Sequence, residues 1–122
     1  MTRFLEGNIL SEEEKKMFVR CVEVVRALDS SAELILYGSR ARGDAQTESD
    51  YDILILVDGD VTLERENKIC DELYPIELET GKVLSAMVYS RQQWDTPLYS
   101  AMPFHKNIEK DGVILSAGLM GM

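Results

Sequence analysis

Two short clusters in the sequence carry residue types suited to opposite charges. Gly38-Ser39-Arg40-Ala41-Arg42 follows one apolar run, and Asp50-Tyr51-Asp52 opens the next. A glycine straight after a strand lets the backbone turn sharply and point N–H groups outward, and Ser39 adds a hydroxyl there. If the chain becomes helical over Ser39 to Arg42, those N–H groups form an opening turn suited to phosphate. Arg40 and Arg42 bring positive charge to the same oxygens, and arginine's planar fork matches phosphate geometry. Asp50 and Asp52 are two apart, so a strand places both carboxylates on one face. Side by side they repel, and a divalent cation between them removes the repulsion. Magnesium fits best: a hard ion held by a few carboxylates and completed by substrate phosphate and water. The bland alternatives are a surface turn with solvated arginines and a pair of loop-end acids.

These clusters need elements to position them. Ser11-Glu12-Glu13-Glu14 reads as a capping box, followed at helical spacing by Met17, Phe18, Cys21, Val24, Val25 and Leu28. A helix from about Glu12 to Asp29 follows. "AELILY" reads as a short buried strand ending at Gly38, and "YDILILV" as a second, apolar enough to be covered on both faces. From Thr62 to about Thr80 the apolar residues Leu63, Ile69, Leu73 and Ile76 recur at helical spacing. Pro75 is expected to kink or interrupt that helix and Gly81 to cap it. "KVLSAMVYS" reads as a third strand. A helical turn near Arg91 to Trp94, a loop, and a last helix from Pro103 to Gly112 with Phe104 and Ile108 buried complete the pattern. "VILSAGLMGM" is a weakly specified tail. This order predicts one α/β (α+β) domain spanning residues 1–122, with helices packed on a small mixed central sheet.

Bulk properties narrow the function. A chain of 122 residues is long enough to bury one core. No apolar run reaches membrane-spanning length and no signal peptide is visible, so a cytoplasmic protein is expected. The formal net charge of -9 disfavours nucleic acid and anionic membranes as partners, though it suits a basic protein. Cys21 and Cys70 read as buried free thiols, and the one histidine, His105, as structural or surface. Tyr89, Trp94 and Tyr99 read as packing residues rather than base-stacking ones.

"YGSRARGDAQTESDYDI" resembles the signature of the polymerase-β-like nucleotidyltransferases: Gly-Ser, about ten residues, then Asp-x-Asp among apolar residues. Here the spacer from Arg40 to Ser49 is ten residues long. The Arg-Ala-Arg-Gly after the serine is similar to the minimal nucleotidyltransferases of bacteria and archaea. The resemblance implies the polymerase-β-like fold, with Gly38 and Ser39 on a triphosphate, Arg40 and Arg42 near its phosphates, and Asp50 and Asp52 on magnesium. It implies transfer of a nucleoside monophosphate, AMP from ATP, to a hydroxyl of a partner protein or small molecule.

One element departs from that pattern. The family's third carboxylate sits on a later strand, and "KVLSAMVYS" has no acid, with Leu84 or Ser85 at the expected place. Glu77 and Glu79 belong to the preceding helix, and Asp58 and Asp60 to the far end of the second strand. The alternative function is therefore a catalytically weakened binding module. Members of this type pair as antitoxins with a small helical toxin, and such a partner is the second expectation.

Overall fold

The computed structural model describes residues 2–3, 10–43 and 50–115. In chain order the elements are β1 (Thr2–Arg3), α1 (Glu12–Leu28), β2 (Glu33–Tyr37), α2 (Ser39–Arg42), β3 (Tyr51–Val57) and α3 (Leu63–Thr80). They continue with β4 (Leu84–Ser90), α4 (Arg91–Trp94), α5 (Pro97–Ser100), α6 (Pro103–Asp111) and β5 (Val113–Ile114). One mixed sheet forms in the order β1-β5-β2-β3-β4. The β2–β3 pair is antiparallel, while β3 and β4 are parallel and joined by the α3 crossover. The capping box forms as the sequence predicts: Glu14 N–H donates to Ser11 Oγ, and Ser11 N–H donates to Glu14 Oε1.

Strand alternation divides the core in two. Leu34, Leu36, Ile53, Ile55, Val57, Leu84 and Val88 face α1 and α3, meeting Phe18, Cys21, Val25, Ile69, Leu73 and Ile76. Ile35, Leu54 and Leu56 face the other way, beneath Trp94 and Ile108. β3 is thus covered on both faces, as its unbroken apolar run predicts. The same alternation puts Asp52 on the Trp94 face of the sheet, beyond the end of that second core.

Several expectations change. α3 continues through Pro75 without a break. Pro75 is exposed, so the ring faces solvent and water can take the carbonyl it leaves unbonded. Leu63 is exposed rather than buried, because it opens α3 ahead of the residues that reach the sheet. Cys21 is buried, but Cys70 is only half-buried. His105 is buried, stacked on Trp94 with ring centroids 4.3 Å apart. Val113 and Ile114 of the weakly specified tail form β5, between β2 and β1. Residues 116–122 of that tail lie outside the described residues, as do residues 44–49 of the spacer.

A polar clasp closes the sheet end remote from Asp52. Arg65 donates from Nε and Nη2 to Asp29 Oδ2, at 3.2 and 2.6 Å, and from Nη1 to the Asp60 carbonyl. Arg91 donates to Asp58 and to the Ser31 carbonyl. α1, α3 and α4 are thereby tied to the end of β3. Burial pushes the Asp29 carboxyl up, but hydrogen bonds from Ser31 and Arg65 outweigh it and hold the group below its usual value. A lowered folded value means stabilisation that is full above the unfolded value near pH 4 and fades as pH falls through the folded one. Arg65→Ala should therefore cost about 2 kcal/mol at neutral pH. In urea unfolding, the gap between wild type and variant should shrink below about pH 4.

Candidate active site

The first cluster is built by backbone geometry. Gly38 takes φ 77° and ψ −159° and caps the single helical turn of α2. Ala41 and Arg42 N–H both donate to the Gly38 carbonyl at 3.1 Å. Gly43, at φ 81°, stops the turn in the left-handed conformation. The chain thus leaves β2, makes one turn and exits, with Ser39 at the open start of that turn.

β3 supplies the second cluster against the first. Tyr37 pairs with Asp52 across the β2–β3 ladder, which sets the Asp52 carboxylate beside Gly38. A methyl group added at Gly38 would lie 2.5 Å from Asp52 Oδ2. The glycine therefore answers two needs: a positive φ, and space for the carboxylate. Asp50 is exposed just ahead of the strand. Ser85, in register with Asp52 on β4, donates its hydroxyl to Asp50 Oδ2 at 3.3 Å. Burial raises the Asp52 pKa, and the neighbouring Asp50 charge raises it further. A carboxylate pair strained in this way is a hard-oxygen donor set that a divalent cation would relieve. No group of three or more His, Cys, Asp or Glu at ligating distance occurs among the described residues. The position that faces Asp52 from β4 belongs to a hydroxyl.

The arginines part company. Arg40 lies on the α1 side of β3, its guanidinium 4.3 Å from the Tyr51 ring centroid and 3.9 Å from Glu14 Oε2. Tyr51 in turn donates its hydroxyl to Glu14 Oε2 at 2.6 Å. Burial, reinforced by that bond, pushes the Tyr51 hydroxyl up to about 12. Tyr51 stands between the two aspartates with its side chain on the opposite face, so this clamp fixes the segment that carries them. Sequence reasoning missed the clamp, although the Glu14 of the capping box was its visible half. Arg42 is exposed at the end of α2. A cleft of about 680 Å³ opens beside the clamp, lined by Glu13, Glu14, Arg40, Tyr51, Glu79 and Lys82 among others. Neither aspartate lines it.

A mixed sheet between helices, with a Gly-Ser turn against the Asp52 carboxylate and Asp50 beside it, defines a class. The nucleotidyltransferase domain family matches residues 19–112, which take in both clusters. The chain is 37% identical over 98 residues to the protein named putative protein adenylyltransferase MJ0604 of Methanocaldococcus jannaschii, covering 76% of this chain and 91% of that one. It is 38% identical over 63 residues to putative protein adenylyltransferase MJ0141 of the same organism, covering 52% of this chain and 64% of the relative. The chain belongs to the nucleotidyltransferase domain family, as a minimal nucleotidyltransferase with the expected α+β fold. A nucleoside triphosphate is the substrate class of such proteins, and divalent metal ions are their general requirement. No helix among the described residues is long and apolar enough to cross a membrane.

The Gly38–Asp52 contact has a measurable signature. Gly81 also has a positive φ, of 72°, but nothing lies within 4 Å of an added methyl group. Gly81→Ala should cost about 1 kcal/mol from backbone strain alone, and Gly38→Ala clearly more, about 2–4 kcal/mol, in urea unfolding. Asp52→Asn removes one member of the repelling pair. Its melting temperature in chelator at neutral pH should exceed that of the wild type.

Proposed function

We propose that the protein transfers a nucleoside monophosphate, AMP from ATP, to a hydroxyl of a partner protein or small molecule. Gly38 and Ser39 seat the triphosphate, Arg42 supplies positive charge from the end of α2, and Asp50 and Asp52 hold Mg2+. Arg40 serves the same site from the other side of β3, by holding Tyr51 and so the strand. Mg2+ bound there would offset the phosphate charge and polarise the reacting phosphoryl group. The observation that carries this reading is the contact between residue 38 and the Asp52 carboxylate, which makes the phosphate-type turn and the carboxylate pair one site. The names of both relatives, as protein adenylyltransferases, favour ATP and a protein hydroxyl.

Ser85 favours a second reading. A hydroxyl where a third acid would face Asp52 leaves the acceptor without a strong base or an additional metal ligand. Under that reading the chain binds nucleotide but acts as an antitoxin by complexing a helical toxin.

The two readings separate in one series of experiments. MgATP should raise the melting temperature of the wild type, and Asp52→Ala should abolish the shift; no shift in the wild type sinks both nucleotide readings. Incubation with α-labelled ATP, magnesium and the neighbouring gene's product should label that product. Ser85→Asp, which supplies a third carboxylate, should raise labelling by ~10-fold or more. A tight complex that stays unlabelled with either variant supports the binding module instead.

A further inference from the structure

β4 is the last strand of the sheet, and among the described residues no strand pairs with its outer edge. Tyr51 N–H donates to the Val83 carbonyl at 2.9 Å, and Leu84, Ala86 and Val88 stand in register with Tyr51, Ile53 and Ile55. In a parallel ladder that pattern turns the backbone groups of Ser85, Met87 and Tyr89 toward β3, and those of Leu84, Ala86 and Val88 outward. Leu84 N–H is already taken by Glu77 Oε2 at 3.1 Å. Ala86 and Val88 make no outward backbone hydrogen bond among the described residues. Each therefore presents a free N–H and C=O.

Natural edge strands are protected by charges, prolines or bulges. From Val83 to Ser90 there is no Asp, Glu, Lys, Arg, Pro or Gly, and the register with β3 runs without a bulge. Apolar side chains are exposed along the same border, Val83 at 52% and Met87 at 39%. Tyr74, 58% exposed, shares a helical flank with Glu77, the residue that reaches this edge.

We propose that β4 pairs antiparallel with β4 of a second copy of this chain, about a two-fold axis at Met87. The register follows from the free groups. Ala86 set opposite Val88 of the partner subunit, and Val88 opposite Ala86 of the partner subunit, satisfies all of them with four hydrogen bonds. Met87 then meets its own copy in the close, non-hydrogen-bonded position and is covered. A second copy is favoured over an unlike partner because the pattern is its own complement under that axis. The net charge of -9 opposes self-association in general, but Val83 to Ser90 carry no charged side chain, so two copies meet along this edge without like charges on the pairing strands. Glu66 and Glu77 lie along the flank of α3 above the edge, so association tightens as salt screens them. In this register Ser85 stands across from Tyr89 of the partner subunit, at the border of the carboxylate pair.

Light scattering and sedimentation of the full chain test the pairing. A dimer is expected that strengthens between low and high salt. Met87→Lys, which sets two cations at the axis, should weaken it ~100-fold or more without touching the backbone. Ala86→Pro removes an outward donor and leaves the β3 ladder intact, and it should also yield monomer. In wild-type hydrogen exchange, the Ala86 and Val88 amides should slow at least ~10-fold on passing from dilute to concentrated protein. A wild type that stays monomeric up to about 1 mM overturns the proposal, as does a dimer indifferent to Met87→Lys whose two amides do not slow.

Discussion

The space at residue 38 is the constraint on which the site depends. Because no side chain occupies it, the Asp52 carboxylate lies against the turn that leaves β2. Any other residue there would both resist the positive φ and push the carboxylate away. The β2–β3 register holds the two together, since Tyr37 pairs with Asp52 and a slip of one residue would turn Asp52 into the opposite core. The buried alternation of Ile53 to Val57 across two apolar layers makes such a slip costly. Packing far from the site thus fixes where its charges stand.

β3 also carries a division of labour in three consecutive residues. Asp50 and Asp52 face one side, while Tyr51 faces the other and is held there by Glu14 and Arg40. Glu14 is shared between the start of α1 and the segment bearing the aspartates. Burial alone would raise its pKa; the bonds from Ser11 and Tyr51, with the Arg40 charge, bring it below its usual value. Asp52, beside the Gly38 turn, is under the opposite influence: burial raises its pKa and the Asp50 charge raises it further. On one side of the strand the charges are paired, and on the other two acids stand together.

Much of this was readable in the sequence because the signals were local. The capping box, the glycine after an apolar run and the i, i+2 aspartates each report on a few adjacent residues. The strand order, the place of β5 and the direction of Arg40 were not readable, because they depend on contacts between distant segments. Arg40 reads from its neighbours in sequence as a residue near the phosphates, whereas its contacts with Tyr51 and Glu14 were not visible there. Pro75 misled for a related reason: the hydrogen bond it removes costs less where water can take the freed carbonyl, and this proline is exposed. The sequence left Leu84 or Ser85 at the place where an acid is expected, and the parallel register sets Ser85 opposite Asp52.

The outer strands give the molecule an order of assembly in time. Among the described residues β1 pairs only with β5, and β5 fills the gap between β1 and β2. Thr2 and Arg3 therefore wait for Val113 and Ile114, more than a hundred residues later. On a ribosome the β3–α3–β4 unit can form while the first strand is still unpaired. β5 is made after the strands it joins, so a chain lacking β5 keeps its site residues but leaves the β2 edge exposed to aggregation.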